Sequence, residues 1–237
     1  MTRIDLTRTG RAFTMLEVMI VVSIMGVIMG FTVIALNSAG TETSIDTTEG
    51  AIQNTTNQFV TRLSTELQNA SRSAGGGVRI NATGSEIRFR VPVDVDQDGS
   101  ADLDGSGNAV FGGTLGRNHV ANKDIVYNFR PNQVGGGDET MSEGSLGFDI
   151  SGDNATTGTF KRGFLTRQMD DGVELPRKAS DRWLLFGDED GDGVEEPLFV
   201  QEADGSITIR FRAADILERQ RTSVRAFVQT RVWPHNP

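Results

Sequence analysis

The chain has 237 residues, 37% of them hydrophobic and 23% charged, with 28 glycines; this composition describes a soluble, loop-rich body rather than a protein of many membrane spans. Cysteine is absent and the only histidines are His119 and His235, which removes disulfides, thiolate nucleophiles and Cys-based zinc sites and leaves little for histidine-centred catalysis. A formal net charge of -9 argues against nucleic acid as a partner, because phosphate binding requires a basic face; it favours cations.

The N-terminal stretch is the first predicted element. From Phe13 to Leu36, 18 of 24 residues are apolar, and the 19 from Val18 to Leu36 carry no charge. At 1.5 Å per residue the uncharged run covers roughly 28 Å, close to the thickness of a bilayer's hydrocarbon core, so one span is expected. Arg3, Arg8 and Arg11 precede it against a single Asp5, which holds the N-terminus in the cytoplasm and sends the acidic body across the membrane. A secretory signal peptide is the competing reading, but its apolar region is about 7 to 15 residues and ends in a small-x-small site. Here the run is longer and continues into Asn37-Ser38-Ala39-Gly40.

Glu17 interrupts the apolar stretch near its start. A charge in lipid costs about 2.5 kcal/mol or more near the bilayer centre and less toward the interface, so an intramembrane acid requires either a cationic partner or access to the headgroups. The residues around it, Gly10-Arg11-Ala12-Phe13-Thr14-Met15-Leu16-Glu17-Val18-Met19-Ile20-Val21-Val22, resemble the N-terminus of type IV pilins and type II secretion pseudopilins: a short basic leader, then F-T-x-x-E opening a long apolar helix. The resemblance covers about thirty residues. It implies that prepilin peptidase cuts between Ala12 and Phe13 and methylates the new amine, and that an inner-membrane assembly platform moves the subunit from lipid into a filament with other pilin or pseudopilin subunits. The family usually has Gly before the scissile bond; this chain has Ala12, with Gly10 two positions upstream.

Elementary electrostatics gives this arrangement a purpose. An ammonium at Phe13 of one subunit set against Glu17 of an axially displaced neighbour turns two ions that are unfavourable in lipid into one compensated pair. Gly26 and Gly30 form a G-x-x-x-G spacing, which either permits close helix approach or marks a flexible point.

Beyond the span, Ile45, Ile52, Phe59, Leu63, Leu67 and Ala70 recur at helical spacing, with Asp46, Glu49, Gln53, Gln58, Arg62 and Glu66 between them. The pattern predicts an amphipathic helix ending at Gly75-Gly76-Gly77. Read as one element from Phe13 to about Ser73 it would be about 90 Å long; a break near Asn37 to Thr43 fits equally. The expected organisation is a leader (1–12), a transmembrane half-helix (13–36), an amphipathic half-helix (37–74) and a β-rich head (75–237).

In the head, period-two alternation appears at 86–91, 124–129, 206–212 and 224–232, with two further strands at 183–186 and 198–200 flanking a turn. The expected fold is α+β: a long N-terminal helix whose apolar stripe is covered by an antiparallel sheet. The stretches 105–118 and 131–163, rich in Gly, Asn, Ser and Thr, read as long surface loops. The size of the head resembles minor pilins or the larger minor pseudopilins more than a bulk filament subunit.

Two acidic loops carry the remaining chemistry. Asp94-Val95-Asp96-Gln97-Asp98-Gly99-Ser100-Ala101-Asp102 and Asp188-Glu189-Asp190-Gly191-Asp192-Gly193-Val194-Glu195-Glu196 both place acids at positions 1, 3, 5 and 9 and glycine at 6. Calcium takes six to eight oxygens, and alternate residues of a tight turn can supply them. Asp94, Asp96, Asp98 and Asp102, and Asp188, Asp190, Asp192 and Glu196, are therefore candidate ligands; solvated acidic turns are the alternative. Position 12 holds Gly105 or Phe199, so neither loop is an EF-hand. The sequence leaves three functions open: a structural filament subunit, a calcium-dependent adhesive module displayed at a membrane or filament tip, and a membrane-tethered hydrolase using paired acids.

Overall fold

The computed structural model describes residues 14–72, 77–115, 118–146, 157–170, 177–180, 183–217 and 222–234; Ala12, Phe13 and His235 lie outside them. Two compact units divide the chain, Met1–Asp46 and Thr47–Pro237.

Helix α1 (Met15–Gln68) runs unbroken through Asn37–Thr43, because nothing in that stretch forbids it: there is no proline, and Gly40 sits where an added side chain would meet open space. In the first unit the helix leaves every large apolar side chain from Met15 to Leu36 between 50% and 81% exposed. Its hydroxyls are satisfied internally: Ser23 Oγ donates to the Met19 carbonyl and Thr32 Oγ1 to the Ile28 carbonyl, each at 2.8 Å. Back-bonding of this kind lets a polar residue sit in an apolar helix without an orphan donor.

In the second unit the same helix becomes one-sided. Ile52, Phe59, Val60, Leu63, Leu67 and, just past the helix, Ala70 are buried, the stripe expected from the spacing apart from half-buried Ile45. The helix ends at Gln68, short of the expected Ser73, because the chain turns and the Ser71 N–H donates to the Arg90 carbonyl at 3.0 Å.

The head follows in chain order. Strands β1 (Arg79–Ile80), β2 (Glu86–Phe89), β3 (Val91–Pro92), β4 (Phe111–Leu115), β5 (Asn118–Ala121) and β6 (Ile125–Pro131) precede a small hairpin, β7 (Gln133–Val134) with β8 (Gly137–Asp138). Strand β9 (Thr140–Ser142), the one-turn helix α2 (Glu143–Leu146), and strands β10 (Thr159–Met169), β11 (Arg177–Lys178), β12 (Leu184–Asp188), β13 (Phe199–Gln201), β14 (Ile207–Leu217) and β15 (Thr222–Val232) complete it. Ten strands form one sheet in the order β1-β2-β6-β10-β12-β14-β13, with β9 and β11 beside β10 and β15 beside β14. Every pairing is antiparallel. Strands β3, β4 and β5 form a second small sheet.

The expected strands are present, but the two expected loops are not plain loops. Strand β4 lies inside 105–118, and 131–163 holds β7 to β9, α2 and the start of β10. Strand β10 is the centre of the sheet: β9 and β12 flank its first half, β6 and β11 its second. Its alternation is hidden by Arg162 and Arg167, which lie inside the structure as ion-paired residues, and by Gly163, where a Cβ would stand 2.2 Å from the Arg130 carbonyl oxygen. The glycine is there for close strand approach.

Helix and sheet meet over aromatic rings and an ionic cluster in which Tyr127 and Arg167 are buried and Glu66 is half-buried. Phe59 packs against Tyr127 and Phe211, with centroids 6.0 and 5.2 Å apart. Beside them Glu66 Oε2 accepts from the Tyr127 hydroxyl at 3.0 Å and from Arg167 Nε at 3.1 Å, and Arg167 also donates to Thr114 Oγ1 at 3.1 Å. Burial pushes the Tyr127 phenol far up, so it remains a donor to the carboxylate. Removing one partner strands the others: Arg167→Met is expected to destabilise the protein by about 3 kcal/mol or more, whereas Glu66→Met with Arg167→Met loses less than the single changes summed. Urea unfolding of the three variants checks this; additive losses would mean that the cluster does not act as a unit.

Candidate functional site

The start of α1 is a capping box. Thr14 is the N-cap: its Oγ1 accepts from the Glu17 N–H at 3.2 Å, and Glu17 Oε2 accepts from the Thr14 N–H at 2.9 Å and its hydroxyl at 3.1 Å. Two orphan donors at the helix start are thereby satisfied reciprocally. Thr14 is not among the residues expected at the site, where Glu17 stands as an acid needing a cationic partner or the headgroups, although T-x-x-E is a capping signature. Gly26 and Gly30 are both on the helix, and a Cβ at either would meet nothing within 4 Å, so in the single chain this close-approach surface is open.

The acidic loops are built alike. The first leaves β3 toward β4; the second joins β12 to β13. In each, Oδ2 of the first aspartate accepts the N–H of the position-6 glycine, Gly99 onto Asp94 and Gly193 onto Asp188, both at 2.8 Å. The position-3 carboxylate takes the N–H of position 5 (Asp98 onto Asp96 at 3.3 Å; Asp192 onto Asp190 at 3.0 Å), and position 5 takes that of position 7 (Ser100 onto Asp98 at 2.8 Å; Val194 onto Asp192 at 2.7 Å). Positions 4 and 6 are left-handed in both: Gln97 at φ 60° and Gly99 at 93°, Gly191 at 79° and Gly193 at 86°. A shared spacing thus gives a shared backbone.

The structure gathers one carboxylate oxygen from each of Asp188, Asp190, Asp192 and Glu196 within 4.8 Å of one another, and likewise for Asp94, Asp96 and Asp98. Asp102 is not in the first cluster; its Oδ2 accepts the Val95 N–H at 2.6 Å and closes the base of the loop. Two residues that sequence reasoning set aside support these turns. His119 Nδ1 accepts the Asp94 N–H at 3.2 Å. Glu189, in position 2 of the second loop, is buried and ion-paired with Arg212 of β14.

Electrostatics separates the carboxylates. For Asp94, desolvation pushes upward, but the N–H donors of Gly99 and Asp98 outweigh it and hold the group below the usual carboxylate range. Asp96 goes the other way: the Asp98 N–H lowers it, but desolvation, its contact with Asp94 and the charges of Asp98 and Asp102 raise it on balance. Burial raises Glu189 against the pull of Arg212, with Glu196 adding to the rise. Crowded like charges of this kind are relieved by a cation.

Residues 8–33 match the family profile described as the prokaryotic N-terminal methylation motif. No curated protein and no solved structure matches the chain. The fold and the helix start define the class: a protein with one N-terminal helix long and apolar enough to cross a membrane, followed by an antiparallel β head. The matched motif covers the start of α1 and the residues just before it, the stretch that resembles type IV pilins and pseudopilins.

Gln97 occupies a conformation that glycine holds at the equivalent Gly191. Left-handed backbone costs a non-glycine residue roughly 1 to 2 kcal/mol, and glycine's extra chain entropy returns part of that. Gln97→Gly is therefore expected to stabilise the cation-free protein by up to about 1 kcal/mol, read as a rise of about 2 to 4 °C in melting temperature; an unchanged or lower midpoint contradicts the shared-backbone account.

Proposed function

We propose that the chain is a structural subunit of a type IV pilus-like filament or a type II secretion pseudopilus. Prepilin peptidase cuts it between Ala12 and Phe13 and methylates the new amine. Before assembly it is a single-pass inner-membrane protein, N-terminus cytoplasmic and head periplasmic; an assembly platform then draws it into the filament by its N-terminal helix. The observation that supports this reading is the match of residues 8–33 to the methylation motif, together with a helix α1 whose large apolar residues from Met15 to Leu36 are all open to a partner or to lipid. In the lone subunit, Thr14 gives the Glu17 carboxylate two neutral donors. A neighbour's ammonium at Phe13 adds an opposite charge in a medium of low dielectric, where charge-assisted bonds are the stronger ones.

The experiment is mass spectrometry of filaments sheared from cells, with Glu17→Gln as the companion variant. The expected product begins at methylated Phe13, and the variant loses filament yield while its membrane level holds. An intact Met1 terminus confined to membranes, or undiminished filaments from Glu17→Gln, would overturn the assignment.

We further propose that the acidic loops hold calcium, the second more completely because Glu196 joins its cluster. Main-chain carbonyls and water complete the six to eight oxygens. Extracellular sites of about 0.1 to 1 mM affinity suffice outside the cell, and calcium at a few multiples of the dissociation constant stabilises by about 1 kcal/mol. Asp190→Ala is expected to lower the melting temperature in millimolar calcium and to change it little in chelator. Equal shifts under both conditions would identify the loop as an ordinary solvated turn.

A further inference from the structure

Between the two parts of α1 that have something to pack against lies a stretch that has nothing. Upstream, the large apolar residues from Met15 to Leu36 are open to lipid or a partner; downstream, from Ile52 onward, the helix buries a stripe against the sheet. From Asn37 to Ala51 no described side chain is buried, and only Ile45 and Thr48 are half-buried.

The residues of this stretch are poor helix formers. Ten of the fifteen are Gly, Ser, Thr, Asn or Asp: four threonines, two serines, Gly40, Gly50, Asn37 and Asp46. Threonine loses rotamer freedom in a helix, Ser, Asn and Asp offer the backbone competing bonds, and glycine gives up the most chain entropy. Even an alanine-rich helix propagates by a factor of only about 1 to 1.6 per residue near 0 °C, so residues of this kind bring the factor below about 1.

Charge gives no help. Neither Lys nor Arg occurs between Arg11 and Arg62, so the stretch contains no cation for an attractive pair at helical spacing. Its acids repel instead, Glu42 and Asp46 being four residues apart and Asp46 and Glu49 three. The Thr43 hydroxyl donates to the Ala39 carbonyl at 2.8 Å, and back-bonding of this kind slightly weakens and bends a helix in water. A helix that is polar all round and has no opposite-charge pairs rests on its backbone bonds alone. The stretch is helical in the structure because no proline forbids it.

We infer that residues 37–51 form an extensible tether: in the membrane-anchored subunit this stretch of α1 opens and recloses far more readily than the helix on either side of it. Opening displaces no packed side chain, and the free energy of local unfolding follows the buried contacts that are lost. The flanking parts resist. Lipid excludes the water that would replace the hydrogen bonds upstream, and the stripe of Ile52, Phe59, Leu63 and Leu67 is buried downstream. Closed, fifteen residues span about 22 Å; open, they reach up to about 50 Å. The inference needs the first part of the helix to lie in a membrane and does not rest on the filament reading.

Hydrogen exchange read by mass spectrometry, on the full chain in lipid nanodiscs, tests the tether. Amides of 42–51 are expected to exchange at least about a hundredfold faster than those of 59–67. Gly40 and Gly50 allow a clean variant, since an added Cβ at either meets nothing within 4 Å. Gly40→Ala with Gly50→Ala is expected to slow exchange in the stretch about tenfold. Asp46→Lys, which turns both like-charge pairs into attractive ones, slows it about threefold. The rates at 59–67 hold in both variants. Equal protection of 42–51 and 59–67, or rates in the stretch unmoved by the glycine replacements, would overturn the tether and leave the filament reading in place.

Discussion

One continuous helix has to satisfy two environments, and the other elements are arranged around that demand. Along Met15 to Leu36 its backbone groups bond within the helix, its hydroxyls fold back onto carbonyls, and its apolar side chains face outward. From Ile52 onward the same spiral turns a narrow stripe inward, against a sheet. Only a helix can make the change without exposing backbone polarity, because its hydrogen bonds are indifferent to what surrounds the side chains. The change of face is written entirely in side-chain order.

The junction between helix and sheet explains why the head carries so many arginines inside its surface. Glu66, Tyr127, Arg167 and Thr114 form a hydrogen-bonded chain at the underside of the helix, and Asp124 is held between Arg79 and Arg90. Apolar packing alone tolerates sliding by a residue or a turn; a buried guanidinium such as Arg167 with fixed acceptors does not, since any slip leaves an unpaired charge in low dielectric. The cluster ties the helix to one position on the sheet, which matters if subunits are to be joined through helices while presenting their heads regularly.

Much of this was legible in the residues. The apolar stretch, Glu17, the stripe at 52, 59, 63 and 67, the four alternating strands with the two that flank a turn, and the two acidic turns all follow from short-range pattern, and each is found close to where the pattern puts it. The central strand β10 was not legible, because both of its faces mix buried and half-buried residues, so no clean polar face alternates, and its arginines are neutralised by acids far away in the chain. The clusters were half legible. Spacing identified the shared turn, but Asp102's tie to Val95, Glu189's inward pairing with Arg212 and His119's role under the first loop depend on partners brought by the fold. Thr14 is legible from T-x-x-E alone, because the reciprocal bonds of a capping box are local to one helical turn.

The eleven-residue ladder between β14 and β15 has a mechanical meaning in a chain with no cross-link to close its C-terminal region. Tension applied lengthwise to the final strand loads its rungs in shear, all at once, whereas a pull across the strands would unzip them singly. A long terminal strand therefore makes strength a matter of the direction of the pull: along the strand, all its hydrogen bonds share the load.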